Sequence, residues 1–416
     1  MNEAGTPRIA SHPALRSGEF KRAALAASAF FLLLCSYYIL RPVRDEMGVQ
    51  TGVGQLQWLF TGTFICTLLL VPVFGWMVKL VPRRLLLPVV YGFVVANLLG
   101  FYVAFTAGIT VATAATFFIW LSVFNLLVIS LFWSQVSDVF SKEQSHRLYG
   151  YIAAGGTMGA LAGPAMTAVL ARHISLANLL ALSATLLTAA AACMILLRRH
   201  ATVMAPAAKK PIGGSVWAGI QLTLKRPGLR GIALLIICYS AVSTVLYIEQ
   251  LDIVGKTFAD SGERTSFFAA IDLVVNALAL SVQLLLTRRV VQHAGLRTAL
   301  SLVPVLVMVG LGALLAWRSA VSLAMVQVVH RAGDYSLMRP GREMIYTTVD
   351  PESRYKAKNF IDTAVYRAND ALSAWLIAGI RAAGLDAILV AGIPIALLWL
   401  LTGFRTGRRH DRNEPT

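Results

Sequence analysis

Twelve runs of about 18 or more mostly apolar residues dominate the chain, at 22–40, 54–78, 85–105, 110–136, 149–170, 175–197, 229–250, 266–287, 298–317, 319–338, 357–379 and 385–404. A run of that length matches the hydrocarbon thickness of a bilayer as a helix. Only a helix can satisfy every backbone group within such a segment when no water is present. The expected fold class is therefore an all-α membrane protein with 12 transmembrane helices. Charges interrupt 319–338 and 357–379, which makes these two the weakest runs. The composition agrees, with 57% hydrophobic and 14% charged residues. A soluble domain could not hide that much apolar surface. The first run follows Lys21 and Arg22, as a signal peptide would, but it is too long and ends in Ser36-Tyr37-Tyr38 rather than a small-residue cleavage site.

The formal charge of +17 would suggest nucleic acid if the bases were clustered. They are instead sorted by loop. With both termini on one side, 29 of the 37 Lys and Arg fall on that side, seven on the other, and Arg367 within a run. Such asymmetry is the positive-inside pattern. It predicts cytoplasmic termini, a plasma-membrane (bacterial inner-membrane) location and no nucleic-acid partner. Cys35, Cys66, Cys193 and Cys238 all lie in apolar runs without metal or redox spacing, and read as buried small residues. The seven histidines are scattered, so no metal site and no cofactor is expected. Gly255-Lys256-Thr257 ends like a phosphate loop, but Gln250 stands where the first glycine is required. Neither an ATPase nor any other enzyme is supported.

Hydropathy breaks for long only between Arg198 and Lys225, around Pro206, Lys209-Lys210-Pro211 and Gly213-Gly214. This divides the chain into an N-tail (1–21), a six-helix unit (22–197), a linker (198–228) with a surface helix near Trp217–Leu224, a second six-helix unit (229–404) and a basic tail (405–416). Short basic loops with a glycine stand at equivalent places, from Gly75 through Lys79 to Arg83-Arg84 and from Arg288-Arg289 through Gly295 to Arg297. This pattern resembles the major facilitator architecture of two related six-helix bundles. Span five carries Gly155, Gly156, Gly159, Gly163 and Pro164, which would let helix backbones approach closely.

Ionised groups at bilayer depth cost about 2.5–3.5 kcal/mol each and usually face a cavity. Span one ends with Arg41, Arg44, Asp45 and Glu46; span seven ends with Tyr247, Glu249 and Asp252, followed by Lys256. Span eight holds Asp272, Asn276 and Gln283, and span eleven holds Lys358, Asp362, Arg367 and Asp370. Arg41 and Arg44 share a helix face if the helix continues past Pro42, and guanidinium groups bind phosphate or carboxylate in bidentate fashion. Candidate substrate-binding residues are Arg41, Arg44, Glu249, Lys358, Asp272, Asp362 and Arg367. Candidate gating or salt-bridge residues are Asp45, Asp138, Arg147 and Lys256.

The run Tyr335-Ser336-Leu337, Pro340, Glu343-Met344, Tyr346, Asp350, Glu352-Ser353, then Lys358 and Ile361-Asp362, resembles the ATP/ADP translocase family. Supporting segments are Ile39-Leu40-Arg41 with Arg44-Asp45, Phe132-Trp133 with Arg147 and Tyr149, and Glu249. The resemblance implies a facilitator-like exchanger of nucleoside triphosphates and diphosphates. The family's functional span-one lysine, span-seven glutamate and basic residue before span eleven fall on Arg44, Glu249 and Lys358. Arginine at 44 departs from the family's lysine, and its span-four glutamate has no counterpart, Asn125 being the nearest polar residue. The expected protein is an antiporter of a small phosphorylated, nucleotide-like anion such as ATP or ADP, seated in the lipid bilayer as a monomeric transport unit. The alternatives are a proton-coupled facilitator of another organic anion or drug, with Glu249, Asp272 or Asp362 carrying the proton, and a non-transporting scaffold or sensor.

Overall fold

The computed structural model describes residues 17–199, 216–384 and 387–412. The N-tail up to residue 16, the linker core at 200–215 and the last four residues lie outside them, as do the side chains of Lys79, Arg83, Arg84, Lys142, Glu352 and Ser353. The described chain is helical, with α1 (Ser17–Thr51), α2 (Leu56–Leu80), α3 (Arg83–Ala107), α4 (Val111–Val139), α5 (Lys142–Leu170) and α6 (Leu176–Arg199) in the first half. A short helix, Val216–Lys225, leads into α7 (Pro227–Thr257). The second half continues with α8 (261–294), α9 (296–316), α10 (320–346), α11 (351–382) and α12 (Ile388–Asp411). Gly295 separates α8 from α9, because its φ of 77° is a conformation that glycine reaches without a Cβ clash.

Among the described residues, nine helical stretches are long and apolar enough to cross a membrane, one of them being Ser261–Ala316 across the Gly295 break. The two helices that fall short are α10 and α11, the same two that charges interrupt in the sequence. Both contain a π-helical turn, Asp334–Met338 in α10 and Phe360–Val365 in α11, and α8 has a third at Gln283–Thr287. A wider turn frees backbone carbonyls, and such turns concentrate at functional sites. Here Gln283 Nε2 donates to Tyr335 O at 2.8 Å and Thr287 Oγ1 donates to Ser336 O at 2.8 Å, so α8 satisfies the loosened backbone of α10.

Buried apolar side chains fall into two clusters. One lies wholly within residues 23–197, and the other takes its members from 229–399 with Leu56, Leu59 and Phe118. Within the first half, α1 lies directly on α5. A Cβ placed at Gly155, Gly159 or Gly163 would run into the backbone of Ala27, Phe31 or Cys35 respectively, four residues apart on both helices. That spacing is the close-packing role predicted for the glycine run. Ser36 and Ser183 tie α1 to α6, their hydroxyls 2.7 Å apart and each donating to the other's carbonyl. The second half has its own version, with Gly403 against the Leu300 carbonyl and Gly407 against the Arg297 backbone between α12 and α9. Of the cysteines, Cys35 and Cys238 are buried as expected and Cys193 is half-buried; Cys66 is exposed on α2, where it faces outward instead.

The halves meet at the end of the molecule away from the chain termini. Arg264 at the start of α8 grips Glu46 of α1 with two bonds of 2.7 Å, and its other nitrogen donates to the Phe258 and Ala259 carbonyls. Trp58 and Trp375 pack edge to face at 4.8 Å, and Trp375 Nε1 donates to Thr61. Arg172 donates to Ser266, whose hydroxyl donates to the Ala168 carbonyl. By contrast, the terminal-end pairs Arg147–Glu19 and Arg226–Asp350 each stay within one half.

The α1–α5 contact makes a direct prediction. Gly159→Ala forces a methyl into fixed backbone and should lower the unfolding free energy by about 1–3 kcal/mol. Gly150→Ala on the same helix meets open space and should be neutral or slightly stabilising. Thermal unfolding of the two purified variants separates the outcomes; equal melting temperatures would refute the close approach.

Candidate functional site

Between the halves lies a cavity of about 700 Å³, walled by α1, α2 and α4 on one side and α7, α10 and α11 on the other. That volume is within the usual range for a small-molecule site. Its chemistry is concentrated on three helices. In α10, Arg331, Tyr335, Arg339, Arg342 and Tyr346 follow one another at three- or four-residue steps, with Asp334 beside Tyr335, and form a single charged and aromatic stripe on the wall. In α1, Tyr37, Tyr38, Arg41, Arg44 and Asp45 face it; the helix does continue past Pro42, to Thr51. Asp362, Arg367 and Asp370 of α11 complete the set.

The charges are organised around two buried carboxylates, each serving two guanidinium groups. Asp272 of α8 accepts from Arg331 Nη2 at 2.5 Å and lies 3.6 Å from Arg41 Nε. Asp334 accepts from Arg339 Nε at 2.7 Å and lies 3.8 Å from Arg342. Both carboxylates are 1% exposed. Four positive groups thus share two negative ones, so each of these guanidinium groups has only part of a counter-charge, while Asp45, Glu343, Asp362 and Asp370 supply the acids of the remaining wall. Polar capacity is left over as well. Arg331 Nε, Asp272 Oδ2, Asp334 Oδ1 and Tyr346 Oη are buried without a hydrogen-bond partner. The aromatic component is equally dense, with Arg339 over the Tyr335 ring at 4.5 Å and Arg41 over Tyr38 at 5.9 Å.

The sequence-predicted residues divide into three groups. Arg41, Arg44, Asp45, Asp362 and Arg367 line the cavity, with Asp272 directly behind Arg41. Arg44 is held by its neighbour Asp45 at 2.6 Å, and Asp45 also accepts from Tyr247 at 2.8 Å, which links α1 to α7 across the cavity. Arg367 is 3.6 Å from Asp370. Lys358 stands just outside the wall, paired with Glu343 and over the Tyr346 ring at 5.7 Å. Asn125 lines the cavity from α4.

The third group lies elsewhere. Glu249 is fully buried but away from the cavity, bonded to Arg318 at 2.7 Å and 3.5 Å from Arg381. Tyr247 and Glu249 are two residues apart, so a helix that turns Tyr247 inward must turn Glu249 away. Lys256 pairs with Asp252 and is 75% exposed. Arg147 pairs with Glu19 inside the first half, and Asp138 is half-buried near the end of α4. Neither bridges the halves; Arg264–Glu46 does so at the closed end and Arg41–Asp272 beside the cavity.

Sequence reasoning missed Arg331, Arg339 and Arg342, counting them with the topological charges of an inner loop. The helix of α10 runs eight residues beyond the predicted end of its span at 338. Their signal was the periodic stripe rather than hydropathy. Among the described residues no group of His, Cys, Asp and Glu is arranged to hold a metal.

The family model of the Major Facilitator Superfamily matches residues 26–338. A search of curated proteins finds no match. Among solved structures, a bacterial homologue of the iron transporter ferroportin in an inward-facing state aligns with a TM-score of 0.68 at 11% identity, covering 94% of this chain and 99% of that one. A POT family transporter aligns at 0.65 and 11% identity, covering 94% and 98%. A nucleoside transporter aligns at 0.60 and 13% identity, covering 93% and 98%. At these identities the likeness concerns the fold. The expected membership of the ATP/ADP translocase family is supported only as far as the superfamily.

Asp272 is the member of the site whose loss should be most visible in stability. Asp272→Asn leaves the Arg331 guanidinium, with a 10% exposed side chain, without its counter-charge, and should cost about 3–5 kcal/mol. Adding Arg331→Gln should recover a good part of that loss. A thermal-unfolding double-mutant cycle reads the coupling, and strictly additive effects would argue against a shared charge.

Proposed function

Because the chain belongs to the major facilitator superfamily, a transporter family and not an enzyme class, and is an integral membrane protein, we propose that it exchanges phosphorylated, nucleotide-like anions by alternating access. Twelve helices cross the membrane as two six-helix bundles, 22–197 and 229–404, joined by the linker at 198–228. The cavity between them holds the substrate. Contacts across the end opposite the termini, with a cavity lined toward the terminal end by Arg342, Glu343 and Tyr346, fit a state closed on one side and open on the other.

One observation carries the substrate class, the sharing of Asp272 and Asp334 among Arg41, Arg331, Arg339 and Arg342. Guanidinium forks with unspent donors bind phosphate oxygens by charge-assisted, bidentate bonds. Two adjacent carboxylate-linked pairs suit an anion with two or more charges. Tyr38, Tyr335 and Tyr366 offer faces for a planar base. The same sharing favours exchange over net movement. Closing the empty cavity would bury guanidinium groups that hold only part of a carboxylate each, which is costly in a low-dielectric interior. Glu249 is assigned no contact with substrate here; with Arg318 and Arg381 it braces the far end of the second half.

Liposomes reconstituted with the protein and loaded with ADP should take up labelled ATP and lose that uptake when the lumen is empty. Arg331→Gln should reduce it at least tenfold, on the order of one charge-assisted hydrogen bond, and Arg331→Lys should retain more. No counterflow with any nucleotide or organic phosphate would remove the substrate class. Uptake that collapses with a protonophore and needs no counter-substrate would favour the proton-coupled alternative.

Glu46→Gln removes the acceptor charge that holds Arg264 across the closed end. Spin labels at Gln57 and Ala259 should then report a longer, broader separation than in the parent protein. An unchanged distance distribution would show that the pair does not hold that end shut.

A further inference from the structure

A second recess, of about 240 Å³, lies between α9 and α12, separate from the transport cavity, and is lined by Arg297, Thr298, Ser301, Leu302, Val305 and Phe404. Its two helices are locked together, since Gly403 and Gly407 rest on the backbone of Leu300 and Arg297. The recess is therefore a formed groove and not a transient gap between loose helices. Its chemistry runs in order along α9. The inner part is apolar, with Leu302 and Val305, and Phe404 of α12 stands level with Ser301 because Gly403 rests on Leu300; all three are about two-fifths exposed. Next come the hydroxyls of Ser301 and Thr298. Thr298 donates to the Ala294 carbonyl, but the Ser301 oxygen is buried without any partner. Arg297 stands at the mouth.

Further positive charge gathers at the same level. Arg408 is one helical turn beyond Phe404 and so falls on the same face of α12; both it and Arg297 are exposed, and neither has an ion-pair partner among the described residues. Among the described residues the acid close by is Asp411, and its two carboxylate oxygens accept from the Leu296 and Arg297 amides at 2.9 and 3.1 Å. That carboxylate caps the first turn of α9 after the Gly295 break and fixes where Arg297 begins.

We propose that this groove is a binding site for an anionic phospholipid, with the phosphodiester on Arg297, Arg408 and the Ser301 hydroxyl and one acyl chain along Leu302, Val305 and Phe404. A headgroup phosphate supplies the negative charge that two unpaired arginines lack and an acceptor for the orphaned hydroxyl. The acyl chain covers apolar side chains that would otherwise meet only bulk lipid. A free phosphate would satisfy the mouth alone and leave the apolar floor uncovered. Basic pockets between helices at the membrane surface bind anionic headgroups by this combination, and a zwitterionic headgroup would bring its own cation against Arg297.

The test is competition on the purified full chain in detergent, read by native mass spectrometry, between phosphatidylglycerol and phosphatidylcholine with identical acyl chains. Retention should favour phosphatidylglycerol. Arg297→Gln should cut that preference about fivefold, and adding Arg408→Gln about thirtyfold in total. Arg289→Gln, an exposed base outside the groove, should leave it unchanged. The double lysine variant, which keeps both charges, should restore most of the preference and guards against simple misfolding. Equal retention of the two lipids would overturn the proposal, as would a preference that survives the double glutamine variant. Displacement of phosphatidylglycerol by millimolar inorganic phosphate would also overturn it, since the occupant would then be a free anion.

Discussion

The desolvated contact between Arg331 and Asp272, with Arg41 as third member, is the constraint around which the interior of this protein is arranged. A lone guanidinium or carboxylate at that depth would be prohibitively costly, and a matched pair is only tolerable. Asp272 comes from α8, Arg331 from α10 and Arg41 from α1. The triad therefore ties the two halves beside the cavity while leaving two guanidinium groups to share one carboxylate. Movement of α1 away from α8 and α10 must change the surroundings of at least one of these groups.

Irregular helices make this arrangement possible. The π turns in α8, α10 and α11 spoil local hydrogen bonding in three neighbouring helices. Those in α10 and α11 place Asp334, Tyr335, Asp362 and Thr363 on the cavity wall, and that in α8 presents Gln283 and Thr287 to the loosened turn of α10. Tight glycine-mediated contacts stand elsewhere, between α1 and α5 and between α9 and α12. Close glycine packing thus lies within each half, and the irregular turns lie beside the cavity. The polar ends differ in the same spirit. Glu46–Arg264 spans the halves, whereas Glu249 with Arg318 and Arg381 is internal to the second.

The residues that resemble those of nucleotide exchangers do not share one location. Tyr335, Glu343, Tyr346 and Asp362 are on the cavity wall, with Lys358 beside it. Glu249 is turned away from the cavity by α7. Residues shared along a family motif can therefore sit at quite different depths, and only those on the inner face can meet a substrate.

Much of the architecture was written in the sequence alone. Hydropathy marked ten strong runs and two weak ones, and the glycine run has the spacing of the α1–α5 contact, because lipid leaves a backbone no choice but helix and close packing demands small residues. The identities of Arg41, Arg44, Asp272, Asp362 and Arg367 were legible too, since charges inside apolar runs stand out. What the sequence could not say was which charges find each other. Arg331, Arg339 and Arg342 read as surface bases because the hydropathy of α10 fades before its helix ends. Glu249 read as a cavity residue because linear position does not give azimuth. Tertiary packing decided both, by extending α10 along the cavity and by fixing the rotation of α7 against its neighbours. A charge in a membrane is functional or structural according to the partner it faces, and that partner is set by the fold.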